Sequence, residues 1–320
     1  MRIMFTSVGR RVELMQAFRK ASEELGIDLK IIGADVSDTA PALYFCDITR
    51  NVCKIKDEQY IPMLLDICRR DNVNCLIPTI DTDLLVLAEN KTQFEEIGTK
   101  VLISAVDKIK VCRDKNYTAQ YFHSVGLKSP QPYNLVEKYL SSGFGFPAFI
   151  KPKDGSSSIN AYKVANADDL AAYAEKIGDY IIQPFIEGTE YTIDIFCDYE
   201  GNPVYITPRE RIAVRSGEVL KTRIAQDDRM ITEMQALIKD FKPCGQITVQ
   251  LIRDKISGED YYIEINPRFG GGAPLSIKAG ADSAKAVLKM LNGEPLMYVE
   301  GAAKDGAIYS RFDQSICVAQ

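Results

Sequence analysis

Over its first ~105 residues the chain alternates short apolar runs with amphipathic stretches, and that rhythm leaves few folds open. Strands are readable at 2–6, 29–35, 51–55, 74–79 and 100–104, with helices near 10–25, 57–71 and 82–97. Strands and helices that alternate through short connections imply a parallel, Rossmann-like sheet. Ser7-Val8-Gly9-Arg10-Arg11 follows the first strand and opens the first helix, where backbone N–H groups can hold an anion. The three-glycine dinucleotide fingerprint is absent, so NAD binding has weak support, and Gly9 reads equally well as a turn residue. Thr79-Ile80-Asp81-Thr82-Asp83 ends the fourth strand on the carboxyl edge, where α/β sheets bind ligands. The plainer reading is that one of these side chains caps the following helix.

After this region a helix is expected at about 105–125, with Arg113, Asp114 and Lys115 in its middle, then the extended Ser129-Pro130-Gln131-Pro132. Residues 146–186 read as a small α+β lid: strand 146–152, a polar loop, strand 161–165, a helix near 167–177 and strand 180–185. A larger antiparallel region follows, with strands at 189–197, 203–208 and 218–224, a hairpin at 246–266 and a helix at 282–291. The expected units are therefore a Rossmann-like domain over 1–105, a linker helix and lid over 106–186, and an antiparallel subdomain over 187–320. Two or three such units suit a chain of 320 residues. The stretch after Tyr298 carries no assignment.

Composition removes several function classes. The chain has no run of ~18 apolar residues, and its start reaches a turn at Gly9 too early for a signal-peptide core. A cytoplasmic location is the expectation, with no membrane partner. The eight cysteines contain no Cys-x-x-Cys pair and sit mostly in apolar runs, as reduced core residues do. His123 is the one histidine, so a zinc site lacks partners; its place near a helix end suits packing better than catalysis. A net charge of −5 argues against a nucleic-acid surface.

The hairpin carries the chemistry. Two β-rich runs flank the polar segment Asp254 to Asp260, and a turn near Ser257 sets Gln250 opposite Glu264 and Thr248 opposite Asn266. Alternation then puts Gln250, Glu264 and Asn266 on one face and Val249, Leu251, Ile263 and Ile265 on the core face. One acid and two amides offer hard oxygens of low total charge, a set suited to Mg²⁺ that also binds phosphate. Arg268, farther along the same face, can hold a phosphate or a developing anion. A solvated polar face is the bland alternative.

Other residues point the same way. Lys151 ends an apolar strand and needs an anionic partner, and the loop Gly155, Ser156, Ser157, Ser158 offers N–H groups and hydroxyls for a nest over phosphates. Gln183-Pro184-Phe185-Ile186-Glu187-Gly188-Thr189-Glu190 joins lid to sheet. Its extended backbone and the Gln183 amide can meet an adenine edge, and Glu190 two ribose hydroxyls. Arg209, Arg211 and Arg223 alternate with apolar residues, so that two or three face a site and clamp a carboxylate, or else are solvated. Gly271, within Gly270-Gly271-Gly272, lets a substrate approach the backbone or simply makes a turn.

Taken together, these residues resemble the ATP-grasp superfamily, in particular enzymes similar to the carbamoyl-phosphate synthase large subunit. The resemblance rests on Lys115, Phe149 to Pro152, the 155–158 loop, Gln183 to Glu190, Gln250 and Glu264-Ile265-Asn266-Pro267-Arg268. The opening Thr6 to Val12 resembles that of short ligases such as the pyrrolysine-biosynthesis lysine ligase. The resemblance implies a pre-ATP-grasp domain followed by the two-part grasp. It implies phosphate binding by Lys115 and Lys151, adenine binding by Gln183, Phe185 and Ile186, and ribose binding by Glu190. Gln250, Glu264 and Asn266 would hold Mg²⁺ (Mn²⁺ being an alternative), and Arg268 would stabilise an acyl phosphate. Family members often have an acid where Gln183 and Gln250 stand. The implied activity is ATP-dependent joining of a small carboxylate to an amine or thiol, with a homodimer compatible. A carboxyphosphate- or carbamate-forming half-enzyme that needs a partner, and a catalytically silent nucleotide-binding regulator, stay open as alternatives.

Overall fold

The computed structural model describes residues 1–154 and 159–318; the loop of residues 155–158, on which the phosphate nest was expected, lies outside them. The first sheet contains β1 (Arg2–Thr6), β2 (Lys30–Asp35), β3 (Ile48–Asn51), β4 (Cys75–Pro78) and β5 (Lys100–Val101), all parallel, in the order β3-β2-β1-β4-β5. The order reverses between β1 and β4, so the carboxyl ends of these two strands border the crevice where such sheets place ligands. The third strand lies earlier than the expected 51–55, because Ile48 to Asn51 pair with Ile32 to Asp35. The helix expected over 82–97 is two, Asp81–Glu89 and Lys91–Glu96, broken at Asn90.

A second break matters more. The helix expected over 105–125 is interrupted at Asp114, whose backbone is extended and whose carboxylate accepts from the N–H groups of Asn116 and Tyr117. Asp114 thus caps the helix Lys115–Ser124 and places Lys115 at its first position, at the positive end of the helix dipole.

The lid has β6 (Ala148–Pro152), β7 (Tyr162–Val164) and β8 (Tyr180–Pro184) in the order β7-β6-β8, backed by helix Ala167–Ile177. Ala148, Ile150 and Ile182 pack with Leu170 and Ala174 on one face, which leaves Phe149 and Lys151 on the other. The large antiparallel sheet contains β9 (Gly188–Cys197), β10 (Pro203–Arg215), β11 (Glu218–Ile224), β12 (Gly245–Asp254), β13 (Asp260–Asn266) and β14 (Ile308–Ser310), in the order β13-β12-β9-β10-β11-β14. Helix Asp228–Phe241, which the sequence reading passes over, covers one face through Met230, Met234, Leu237, Ile238 and Phe241. The unassigned stretch after Tyr298 supplies β14 at the sheet edge.

The first and third sheets are packed together by shared apolar residues. Helix Val12–Leu25 buries Leu14, Met15 and Phe18 in one cluster with Phe196, Phe269, Val287 and Leu288 from the second half of the chain. Among the described residues no helix is long and apolar enough to cross a membrane.

Candidate active site

The hairpin register places Gln250 opposite Glu264 and Thr248 opposite Asn266, as the turn position required. The core face differs. The next partner of Glu264's neighbour is displaced, so that Leu251 pairs with Tyr262 and Ile263 is left as the extra residue of a β-bulge. Tyr262 therefore takes the core position that Ile263 was expected to fill, and Ile263 lines the cavity beside Glu264. The cavity, about 280 Å³, lies between the lid face and the large sheet; Lys115, Lys151, Glu190, Gln250, Glu264, Asn266 and Arg268 all border it.

Two lysines face the acid across this cleft. Lys151 is buried, and its ammonium stands 5.7 Å from the centre of the Phe149 ring. Burial pushes its pKa down to about 8, Glu264 opposing the shift and Lys115 adding to it. The Lys115 ammonium donates to the carbonyl of Lys153 at 3.2 Å. Burial lowers its pKa too, against the pull of Glu264, Asp154 and Asp114. Two partly desolvated ammonium groups around one carboxylate form a site that gains when polyanionic phosphate enters.

On the far wall, Asp194 and Arg209 form a buried pair. Arg209 Nε donates to Asp194 at 2.7 Å, and the hydroxyls of Ser276 and Thr248 donate to the same carboxylate at 2.6 and 3.2 Å. Nη1 of Arg209 is buried without a hydrogen-bond partner among the described residues. Gly272 makes room for this guanidinium, since a Cβ there would collide with it, and a Cβ at Gly271 would collide with Glu218. The glycines thus accommodate the protein's own side chains. Arg211 binds Glu190 at 3.1 Å, Thr192 and the carbonyl of Gly217. Arg223 does not join them. It pairs with Glu210 on the opposite face and is half exposed, because antiparallel partners share a face and Glu210 points away from Arg209.

The carboxyl edge of the first sheet supplies a partner the sequence left ambiguous. Neither Asp81 nor Asp83 caps the helix Asp81–Glu89, whose N-cap makes no side-chain bond. Asp81 accepts from Arg268 at 2.7 Å, while the hydroxyls of Thr6, Ser7 and Tyr60 donate to buried Asp83. Burial pushes Asp83 up to about 6. The first helix does not offer Gly9 to a ligand, since its N–H donates to Asp35 at 2.8 Å. Arg11 reaches Glu218 at 3.6 Å, and its pKa is lowered by burial and by neighbouring Arg268. Arg11 and Glu218 had no sequence signal beyond the Gly9-Arg10-Arg11 turn.

The adenine side is less direct. Gln183 is buried and opposite Phe149, but its amide donates to the carbonyl of Pro130 at 2.7 Å. The Phe185 N–H donates to Pro147 at 3.3 Å, and the Phe185 ring lies 6.4 Å from that of Phe149. Gln183 and Phe185 thus flank Phe149, and neither they nor Ile186 belong to the cavity lining found among the described residues. Glu190 borders the cavity, with its carboxylate held by Arg211. His123 packs, one ring nitrogen 3.0 Å from the carbonyl of Ser129.

The donor chemistry suits a hard divalent cation. Glu264 accepts from the Asn266 amide at 2.9 Å, which holds the acid and the amide side by side, and Gln250 adds a neutral oxygen from the paired strand. The described residues contain no group of three or more His, Cys, Asp or Glu side chains suited to a metal.

Comparison with known proteins agrees with this geometry. Residues 112–272 match the ATP-grasp domain, and residues 3–102 match the PylC-like N-terminal domain. The carbamoyl phosphate synthase large chain of Thermoplasma volcanium is 23% identical over 269 residues, covering 75% of this chain and 26% of that one. The D-alanine–D-alanine ligase of Fusobacterium nucleatum is 32% identical over 99 residues, 31% of this chain and 33% of that one. The chain spans well under half the length of the curated relatives it matches. Among solved structures, the biotin carboxylase domain of Hydrogenobacter thermophilus 2-oxoglutarate carboxylase superposes with a TM-score of 0.76 at 17% identity, over 96% of this chain and 73% of that one. That structure was solved with MgADP and bicarbonate. By its family match, the chain belongs to the ATP-grasp family.

Proposed function

We propose that this chain is an ADP-forming ligase that joins a small carboxylic acid to an amine at the expense of ATP. The observation that carries the reading is Lys151, a buried ammonium held with Lys115 around Glu264 in a cleft bordered by arginines. Such a cleft is built for a phosphate chain and an acid.

In the reaction, a carboxylate oxygen attacks the γ-phosphorus and the bond to ADP breaks, giving an acyl phosphate. The amine nitrogen then attacks the acyl carbon and phosphate leaves. Lys151 and Lys115 bind phosphate oxygens and offset their charge, and Arg268, oriented by Asp81, faces the acyl phosphate. Arg209 offers Nη1 to the substrate acid. Phe149, Phe185 and the backbone beside them receive the base, with Gln183 fixed by Pro130, and Glu190 receives the ribose. Gln250, Glu264 and Asn266 would hold Mg²⁺, or Mn²⁺ in its place, which when bound neutralises phosphate charge. No protein nucleophile is required, because positioning and electrostatics carry phosphoryl transfer. The relatives' printed names, a D-alanine–D-alanine ligase and a carbamoyl phosphate synthase, support the reaction class.

The test is ADP release from Mg-ATP with pools of small acids and amines, for the wild type and Glu264→Ala. Acid-dependent release that falls at least 100-fold in the variant is expected. Nucleotide binding without release for any pool, bicarbonate included, would replace the ligase with a partner-dependent half-enzyme or a regulator.

A further inference from the structure

Beyond the cleft lies a larger cavity, about 640 Å³, between the first helix of the parallel sheet and the segment that follows β14. The segment is anchored where the N–H of Arg311 donates to the carbonyl of Leu220 at 2.8 Å. Glu218 borders both cavities, so the second adjoins the cleft at this residue.

The charges of the wall do not cancel. On the inner side Arg311 reaches Glu13 at 3.1 Å and Glu218 at 3.3 Å, while Lys278 reaches Glu13 at 2.7 Å and Arg11 reaches Glu218 at 3.6 Å. Three cations there share two carboxylates. On the outer side Arg215 and Arg10 share Asp313, at 3.0 and 3.7 Å. Among the described residues each group keeps one positive charge in excess, in a chain whose net charge is −5. Phe45, Leu220 and Phe312 add apolar surface to the same lining. A compartment lined by five cations, three carboxylates and apolar side chains attracts an anionic group on an apolar chain and repels a cationic one.

We propose that this compartment receives the far end of the acid whose reacting carboxylate lies in the cleft, that this far end carries a second anionic group, and that Arg311 is the residue that selects for it. The identification of the ligand as substrate rests on the ligase reading; its charge rests on the wall alone.

The experiment is calorimetric titration of the full chain with glutarate, pentanoate, L-glutamate and L-lysine, for the wild type, Arg311→Gln, Arg311→Lys and Asp313→Asn. Glutarate or glutamate is expected to bind at least tenfold more tightly than pentanoate or lysine. Arg311→Gln should lose at least tenfold for the dianions alone, and Arg311→Lys should recover part of it. Asp313→Asn, which releases Arg10 and Arg215, should tighten dianion binding several-fold, an effect that a structural clamp would not produce. Equal binding of glutarate and pentanoate, preference for lysine, no binding of any acid, or indifference to Arg311→Gln would overturn the proposal. A parallel titration with Mg-ATP separates the two readings. Nucleotide binding without the acid pattern sinks this inference and spares the ligase, whereas the acid pattern without nucleotide binding does the reverse.

Discussion

Lys151 shows how far a single side chain can be read. A lysine at the end of an apolar strand announces an anion-binding site, and the structure buries it beside Phe149 with its pKa pushed down to about 8. Because the folded value lies below that of the unfolded chain, charging this ammonium costs stability. The cost is carried in full below about pH 8 and disappears as pH rises toward the unfolded lysine value. Phosphate binding needs the charged form, so the sign for nucleotide is opposite. We expect kcat/KM for ATP to fall above about pH 8, and a pH–rate series should show the inflection vanish in Lys151→Met. That variant should also lose about 1.5–3 kcal/mol of ATP affinity, the worth of a charge-assisted hydrogen bond. Arg209 was harder to read, because the sequence names an arginine on a strand but not Asp194 fifteen positions earlier on the neighbouring strand as its partner. Alternation tells which face a residue takes only when the register is known. Arg223 fell on the wrong side for that reason.

At the scale of elements, the hairpin was legible because a polar turn between two β-rich runs fixes its register. The bulge at Ile263 was not, since an inserted residue leaves the local composition unchanged. Helix Asp228–Phe241 was legible in principle: Met230, Met234, Leu237, Ile238 and Phe241 repeat at helical spacing behind the cap Asp227. The break at Asp114 has functional weight, because the cap fixes Lys115 at the first helical position. Asp114→Ala should cost about 1 kcal/mol in urea unfolding and raise KM for ATP, while Asp114→Asn, which still caps, should do neither to a comparable degree. A KM unchanged by the alanine would show that Lys115 is positioned by something other than its helix.

For the molecule as a whole, the sequence indicated the parallel sheet, the lid and the antiparallel sheet but not how they close on one another. The decisive contact is Arg268 with Asp81, a residue of the large subdomain held by the carboxyl edge of the first sheet 187 positions away. Asp81→Asn should lower kcat with little change in KM for ATP, and lower stability by about 1–3 kcal/mol; steady-state kinetics with thermal melts would check both. The apolar cluster joining Leu14, Met15 and Phe18 to Phe196, Phe269, Val287 and Leu288 has a further consequence. Two separate family models match residues 3–102 and 112–272, as two sequence modules. Neither stretch contains Val287 and Leu288, and the cluster draws on both sides of the divide. Expressing either module alone would expose half a core to water, and shuffling modules between relatives would require matching both halves of that seam. Here the stretch that one family model describes is smaller than the unit that buries the core.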